Sequence, residues 1–413
     1  MGGTSGTIPA GAPRVAIVGG GIGGLAAALC LRTAGIDATV YEQADGIVAA
    51  GAGTTVTPNA VRLLRRMGLA EEFERRAVRL EQGWEMRRWE TGEVLFVQEM
   101  GERCREMYGE PCYTAHRGDL LGVLAGAVPS ETLRLGATVT EVADESDRVR
   151  LTVQTRAGTE TVIADAVIAA DGMRSTLRET VVAAADPEFS GDSAFRCLIP
   201  AEKVPAFARR PVQTLWLGPG RHFVHYPVSA GRLINIVAIV PAGEWREESW
   251  IADGRVADLV AEFDGWSPRL GELIGAVTAV KRWALYDRRP LPRWTRGRFT
   301  LLGDAAHPML PYYGQGANQA IEDAAVLALC LRDVAPGDLP AALLRYEEIR
   351  RPRASRVQEM SHGKREVNHM PDGPAQRARD AGFAGRSPLA ANAWVYGHDA
   401  EAEAHGFLAG QPA

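Results

Sequence analysis

The hydrophobic pattern changes period several times along the chain, and each change marks an element. Val15 to Val18 is a short apolar, β-branched run, the mark of a strand buried on both faces of a parallel sheet. Leu25 to Ala34 has helical composition and stops at Gly35. "ATVYE" then reads as a second strand that ends at Glu42. Together these make a βαβ unit over Arg14 to Gln43. A strand running into a glycine and an acid appears twice more. In "ADAVIAADGMRSTLRE", Ala166 to Ala170 leads into Asp171-Gly172. In "GRFTLLGDAAHPM", the strand leads into Gly303-Asp304, with a helix expected from Ala317 onward. Residues 181–279 lack βαβ spacing and carry strand patterns such as "RHFVHYPV" and "LINIVAIVP". No apolar run reaches the ~18 residues of a membrane span.

The first loop, "GGGIGG", fits GxGxxG at Gly19, Gly21 and Gly24. Gly19 allows a tight turn, Gly21 lets the backbone approach a pyrophosphate, and Gly24 lets the helix lie close on the sheet. The helix start offers free N–H groups and a positive dipole end to the phosphates. Glu42 is placed to accept hydrogen bonds from a ribose diol. The loop binds an ADP moiety, which alone fits NAD or FAD. The other two loops separate them. A carboxylate after a glycine at a strand's C-terminal end accepts from sugar-type hydroxyls, and FAD has a ribityl chain far from its adenine. Two such acids, Glu42 and Asp304, favour FAD. The backbone of "GQGAN" (Gly314, Gly316, Ala317, Asn318) is expected at the flavin pyrimidine edge, with the following helix aimed at it.

Composition narrows the setting. The 413 residues are 46% hydrophobic and 23% charged, enough for a large core and roughly two domains. A net charge of −5 argues against a nucleic-acid surface. The arginine runs Arg62, Arg65, Arg66 and Arg350, Arg351, Arg353 read as solvated helix faces. Five scattered cysteines without CxxC read as reduced, with neither a disulfide frame nor a metal site, and point to the cytoplasm. "MGGTSGTIPAGAP" is no signal peptide and reads as a flexible leader.

Taken in order, "GGGIGG", "YTAHRGDLLGVL", "ADGMRSTLR", "LYDRRPLPRW" and "GDAAHPMLPYYGQGANQAIEDA" resemble the single-component FAD-dependent aromatic hydroxylases, the p-hydroxybenzoate hydroxylase-like group. The likeness spans about residues 13–366. It is nearest the branch of salicylate, 3-hydroxybenzoate and 6-hydroxynicotinate monooxygenases, and "AWVYGHD" is similar to the ending of the last. The resemblance implies an α/β fold. A Rossmann-like FAD-binding domain with a glutathione-reductase-like βαβ unit (13–76, 107–180 and 280–366) is interrupted by a smaller mixed-sheet substrate domain (77–106 and 181–279). Residues 367–413 form a C-terminal tail. It also implies FAD, NADH or NADPH as a transient electron donor, and dioxygen. A flavin C4a-hydroperoxide then hydroxylates a small phenolic or hydroxy-heteroaromatic acid, with or without decarboxylation. The chain would act as a monomer or homodimer, away from nucleic acid and membrane. Arg117 matches the family arginine near the flavin, and Pro311 a proline over it. An FAD-dependent reductase or epoxidase of the same fold, acting on an apolar substrate, is the other reading. The Trp-x-Trp-x-Ile-Pro signature of flavin halogenases does not occur.

A phenol of pKa ~10 must lose its proton before it attacks, so a base or relay is needed. Tyr226 matches a substrate-contacting tyrosine of close relatives. Strand alternation puts His222, Val224 and Tyr226 on one face and His225 on the other, which makes the two histidines a poor metal pair. Thr55 and Tyr312 stand where the hydroxynicotinate pattern has histidines. Both are candidates to orient a phenol or carboxylate, and neither is a ready base near neutral pH. His307 is read as loop structure.

Overall fold

The computed structural model describes residues 12–47, 52–183, 186–247, 252–383 and 387–410. All but the last two residues of the expected leader fall outside these. β1 (Arg14–Val18) pairs in parallel with β2 (Asp37–Glu42) on one side and with Ala166–Ala169 on the other. α1 (Ile22–Thr33) makes the crossover. Phe299–Leu301 extends the sheet in parallel beyond Ala166–Ala169, Leu133–Leu135 does so beyond β2, and Thr295–Arg296 closes one edge antiparallel. Val15 to Val18 are all buried, as a parallel strand covered on both faces requires. The three glycine-bearing loops therefore leave the same end of three adjacent strands. Pairing in this sheet closes the gap of nearly three hundred residues between Gly19 and Gly303.

The second large layer is an eight-stranded mixed sheet. Its order is Asp253–Gly254, Val280–Asp287, Glu188–Pro200, Leu233–Pro241, Arg221–Val228, Val212–Gly218, Gly83–Arg88 and Val94–Gln98. All neighbours are antiparallel except Val212–Gly218 with Gly83–Arg88. Val280–Asp287, expected in the cofactor unit, belongs to this sheet. It pairs along Glu188–Pro200, and its alternate residues Trp283 and Leu285 pack with Tyr226 and Ile239. The chain rejoins the first sheet only beyond Asp287, at Thr295–Arg296. Between the layers lies a small antiparallel sheet of β3 (Gly53–Val56), Tyr113–His116 and Val78–Arg79.

The helix Gly316–Leu331 packs on α1, and every residue from Asn318 to Leu331 is buried. It is apolar nearly all round, as an interior helix must be, yet it carries Glu322 and Asp323. Their partners come from the long helix Leu339–Asn368. Arg350 donates to Glu322 Oε2 at 2.7 Å and to Asp323 Oδ1 at 2.8 Å, and Arg353 Nε donates to Glu322 Oε2 at 2.7 Å. Arg350 is wholly buried and Arg353 nearly so. The expectation of a solvated face fails there, because a buried carboxylate pair leaves no alternative to buried cations. Of that run only Arg351 is substantially exposed.

Beyond Asn368 the chain folds back. Arg353 donates to the Trp394 and Val395 carbonyls, Arg62 donates to the His398 carbonyl at 2.5 Å, and Arg66 pairs with Asp399. Part of the first arginine run thus clamps the C-terminal segment. Among the described residues no helix is long and apolar enough to cross a membrane.

Candidate active site

A cavity of about 320 Å³ lies where the three glycine loops meet the face of the eight-stranded sheet. Gly19 has φ +109°, and a Cβ there would collide with the Ala170 carbonyl of the next loop. A Cβ on Gly24 would strike the Gly19 carbonyl oxygen. These two glycines lie behind the cavity and serve packing. Gly21 is the one that lines it, and a Cβ there would meet nothing within 4 Å. As the N-cap of α1 it has no side-chain cap, and the first turn carries no acid. The open space and the uncapped amides together suit a pyrophosphate.

Glu42 lies just outside the cavity lining. Its carboxylate accepts from Gly20 N at 2.7 Å and Ala44 N at 2.9 Å, which fixes it at the end of β2 with lone pairs to spare. Asp304 lines the cavity, and its backbone oxygen accepts from Arg178 at 3.0 Å. Asp171 sits behind Ala170 and Gly172. Its Oδ1 is buried with no hydrogen-bond partner, and burial raises its pKa. Its Oδ2 accepts from Leu177 N, so the carboxylate serves its own turn behind the wall. The open Gly21 turn, the uncapped start of α1 and Asp304 in the wall together fit FAD. Gly314, Gly316 and Ala317 line the cavity as well, but Asn318 does not. Asn318 is wholly buried. It accepts from Thr57 N at 2.9 Å and donates to the Thr55 and Gly314 carbonyls, so its side chain ties β3 to the Gly314 turn.

The other half belongs to the sheet. His222, Val224 and Tyr226 line the cavity. His225 points to the opposite face, where Trp216 Nε1 donates to its Nδ1 at 3.3 Å. Thr55 donates to Gln213 Oε1 at 3.0 Å, and Gly53 N donates to Asn235 Oδ1 at 2.7 Å, which joins β3 to the sheet on either side of the space. Gly53 is held tightly there, since a Cβ would lie 2.6 Å from Tyr226 Cε2. Arg117, at the start of the helix Arg117–Ala127, completes the wall toward the glycine loops.

Burial sets the electrostatics. It holds the Tyr226 hydroxyl protonated, raising its pKa well above that of a free phenol against the pull of Arg196. Tyr312 is shifted the same way by burial and by Asp192, to which its hydroxyl donates at 2.6 Å. His222 is held neutral by burial and by His369, whose Nε2 lies 2.8 Å from His222 Nδ1. The nitrogen of His222 left for the cavity is Nε2. Asp192 is fully buried and held by two bonds from Arg365, at 2.6 and 3.0 Å. His307 Nε2 and Gly303 N meet Asp323 Oδ2 at 2.6 and 3.0 Å, so this histidine anchors the loop from below.

Several lining residues carry no local signal in the sequence. Arg196 lies within a strand, its guanidinium 3.9 Å from the Trp283 ring centroid, and burial lowers its pKa to about 9. Lys364 and Asn368 reach the cavity from the last two turns of the long helix. A lone cation in a strand or a helix reads as solvent-facing until its neighbours in space are known.

The chain is 43% identical over 390 residues to a 3-amino-4-hydroxybenzoate 2-monooxygenase of Streptomyces platensis, covering 94% of this chain and 96% of that one. It is 38% identical to a 6-hydroxynicotinate 3-monooxygenase of Pseudomonas fluorescens, covering 85% and 90%. A salicylate hydroxylase solved as a substrate complex superimposes with a TM-score of 0.81 at 29% identity, over 98% of this chain and 99% of that one. The FAD binding domain family matches residues 13–361, and with the three glycine loops gathered at one end of a parallel sheet, the chain belongs to that family.

Proposed function

We propose that this chain is a monooxygenase that hydroxylates the ring of a small aromatic hydroxy acid, of aminohydroxybenzoate type, using NADH or NADPH and dioxygen. The observation that carries this reading is the charge of the cavity wall. Among the described residues Arg117, Arg196 and Lys364 line it, against one carboxylate, that of Asp304. A wall richer in cations than in carboxylates raises the local potential and favours an anionic substrate over an apolar one. Identity to the aminohydroxybenzoate enzyme exceeds that to the hydroxynicotinate enzyme, in keeping with Thr55 and Tyr312 in place of histidines.

When bound, FAD supplies the redox and oxygen-activating chemistry. The Gly21 turn and the start of α1 hold its pyrophosphate, Glu42 and Asp304 its sugar-type hydroxyls, and the Gly314–Ala317 backbone its ring edge. The sheet face with Leu215, Val224, Val237 and Ile239 packs against the substrate ring and excludes water. His222 Nε2 is the nitrogen placed to accept the substrate's hydroxyl proton, while its Nδ1 stays with His369. Tyr312, whose proton is committed to Asp192, offers its oxygen as an acceptor.

The test uses FAD-loaded protein with 3-amino-4-hydroxybenzoate, 3-hydroxybenzoate, salicylate and 6-hydroxynicotinate. Aromatic-stimulated NAD(P)H oxidation is expected, with oxygen uptake and a product bearing one added oxygen. If no acid in the panel yields an oxygenated product, the reading is wrong.

A further inference from the structure

The three cations of the cavity are differently placed. Arg117 and Arg196 lie close enough for Arg117 to depress the Arg196 pKa, and Tyr226 is within the same electrostatic reach. They form one pole, shared by β3's neighbours and the sheet. Lys364 stands apart, on the last two turns of the helix Leu339–Asn368. Its ammonium lies 5.6 Å from the centroid of the Tyr313 ring, and Asn368, four residues on and so on the same helix face, lines the cavity beside it.

Lys364 also differs from its neighbours on that helix. Arg350 and Arg353 hold Glu322, and Arg365 holds Asp192. No carboxylate among the described residues lies within ion-pair distance of the Lys364 ammonium. Burial alone lowers its pKa, with no charged neighbour acting on it. A half-buried ammonium without a counter-charge is unfavourable, and the ring face of Tyr313 compensates it only in part. An anion entering the cavity would complete it, and the amide of Asn368 is a second donor at the same spot.

An aromatic hydroxy acid brings one carboxylate, and Lys364 with Asn368 offers it two donors at one place in the cavity wall. We propose that Lys364, with Asn368 beside it, holds the substrate carboxylate, so that selection for a ring acid is made from the long helix. The inference rests on the aromatic-acid reading above and adds the residue that enforces it.

The experiment is a titration of the oxidised, FAD-loaded full chain, read by the change in flavin absorbance. The ligands are 3-amino-4-hydroxybenzoate and 2-aminophenol, the same ring without its carboxylate. The wild type is expected to prefer the acid by about 100-fold, the order of effect seen when one partner of a buried charge pair is removed. Lys364→Met should weaken the acid by about the same factor and leave 2-aminophenol within about threefold, while Lys364→Arg keeps most of the preference. In turnover, Lys364→Met should raise KM and leave kcat at saturation little changed. A wild type without preference for the acid overturns the proposal. So does a Lys364→Met variant that retains the preference, most directly if Arg196→Met abolishes it. Formation of an oxygenated product by the wild type is scored separately, so the function can stand where this assignment falls.

Discussion

At the scale of single residues, two glycines make opposite predictions about the two halves of the site. A side chain on Gly21 would project into open space that the protein leaves free. Gly21→Val should therefore leave the apoprotein's melting temperature nearly unchanged and weaken FAD binding by about 100-fold or more, because it blocks backbone approach to the pyrophosphate. An FAD titration beside an apoprotein melt distinguishes this from general damage. Gly53 is crowded, with Tyr226 and Asn235 both within 3 Å of a Cβ. Gly53→Ala should displace Tyr226 and lower kcat/KM by roughly 10- to 100-fold, because misplacement by about an ångström costs that much. FAD affinity should hold, and a variant with unchanged kcat/KM would show that Tyr226 does not position the substrate. The open space at Gly21 agrees with a local steric pattern, GxGxxG, that the sequence displays. The crowding of Gly53 was not legible there, because its neighbours come from residues 226 and 235.

Among the elements, the helix Gly316–Leu331 depends on the helix that follows it. Glu322 and Asp323 are wholly buried and held ionised by Arg350, Arg353 and His307, so that Glu322 stays far below the usual carboxylate range despite its burial. Removing one partner of such a cluster strands the others. Arg350→Met should destabilise the fold by about 3–5 kcal/mol, measured as a fall in the denaturant midpoint. Arg350→Lys should not restore it, because one ammonium cannot reproduce donation to Glu322, Asp323 and Gln319 together. Full stability in either variant would mean that the cluster is dispensable. The sequence placed this helix correctly by composition and punctuation. It misjudged the arginines of the next helix, because "RRPR" looks the same whether water or a buried acid faces it.

For the whole molecule, the buried histidines predict the acid limb of stability. His369 and His398 are each lowered by burial to about 4, and His222 lies well below its usual value. Each binds a proton more readily unfolded than folded. Their contribution is fully present above about pH 6.5 and is lost as pH falls from there toward 4, at up to about 1.4 kcal/mol per pH unit for each group. Denaturant midpoints measured from pH 7.5 to 4.5 should decline, and His398→Gln should flatten the curve. A flat wild-type profile would contradict the burial of these rings. His398 lies in the C-terminal segment that Arg62 and Arg66 clamp, so the same measurement reports on that docking. The amino-acid order alone was enough for the βαβ unit, the glycine loops and the cofactor they accept, because tight turns, strand burial and helix starts are constraints between near neighbours. Which cation meets which anion, that the strand Val280–Asp287 still belongs to the second sheet, and which side chains share the substrate cavity follow from strand pairing and helix packing across hundreds of residues. Those contacts arise when the two sheets close on the same space, and their partners lie far apart in sequence.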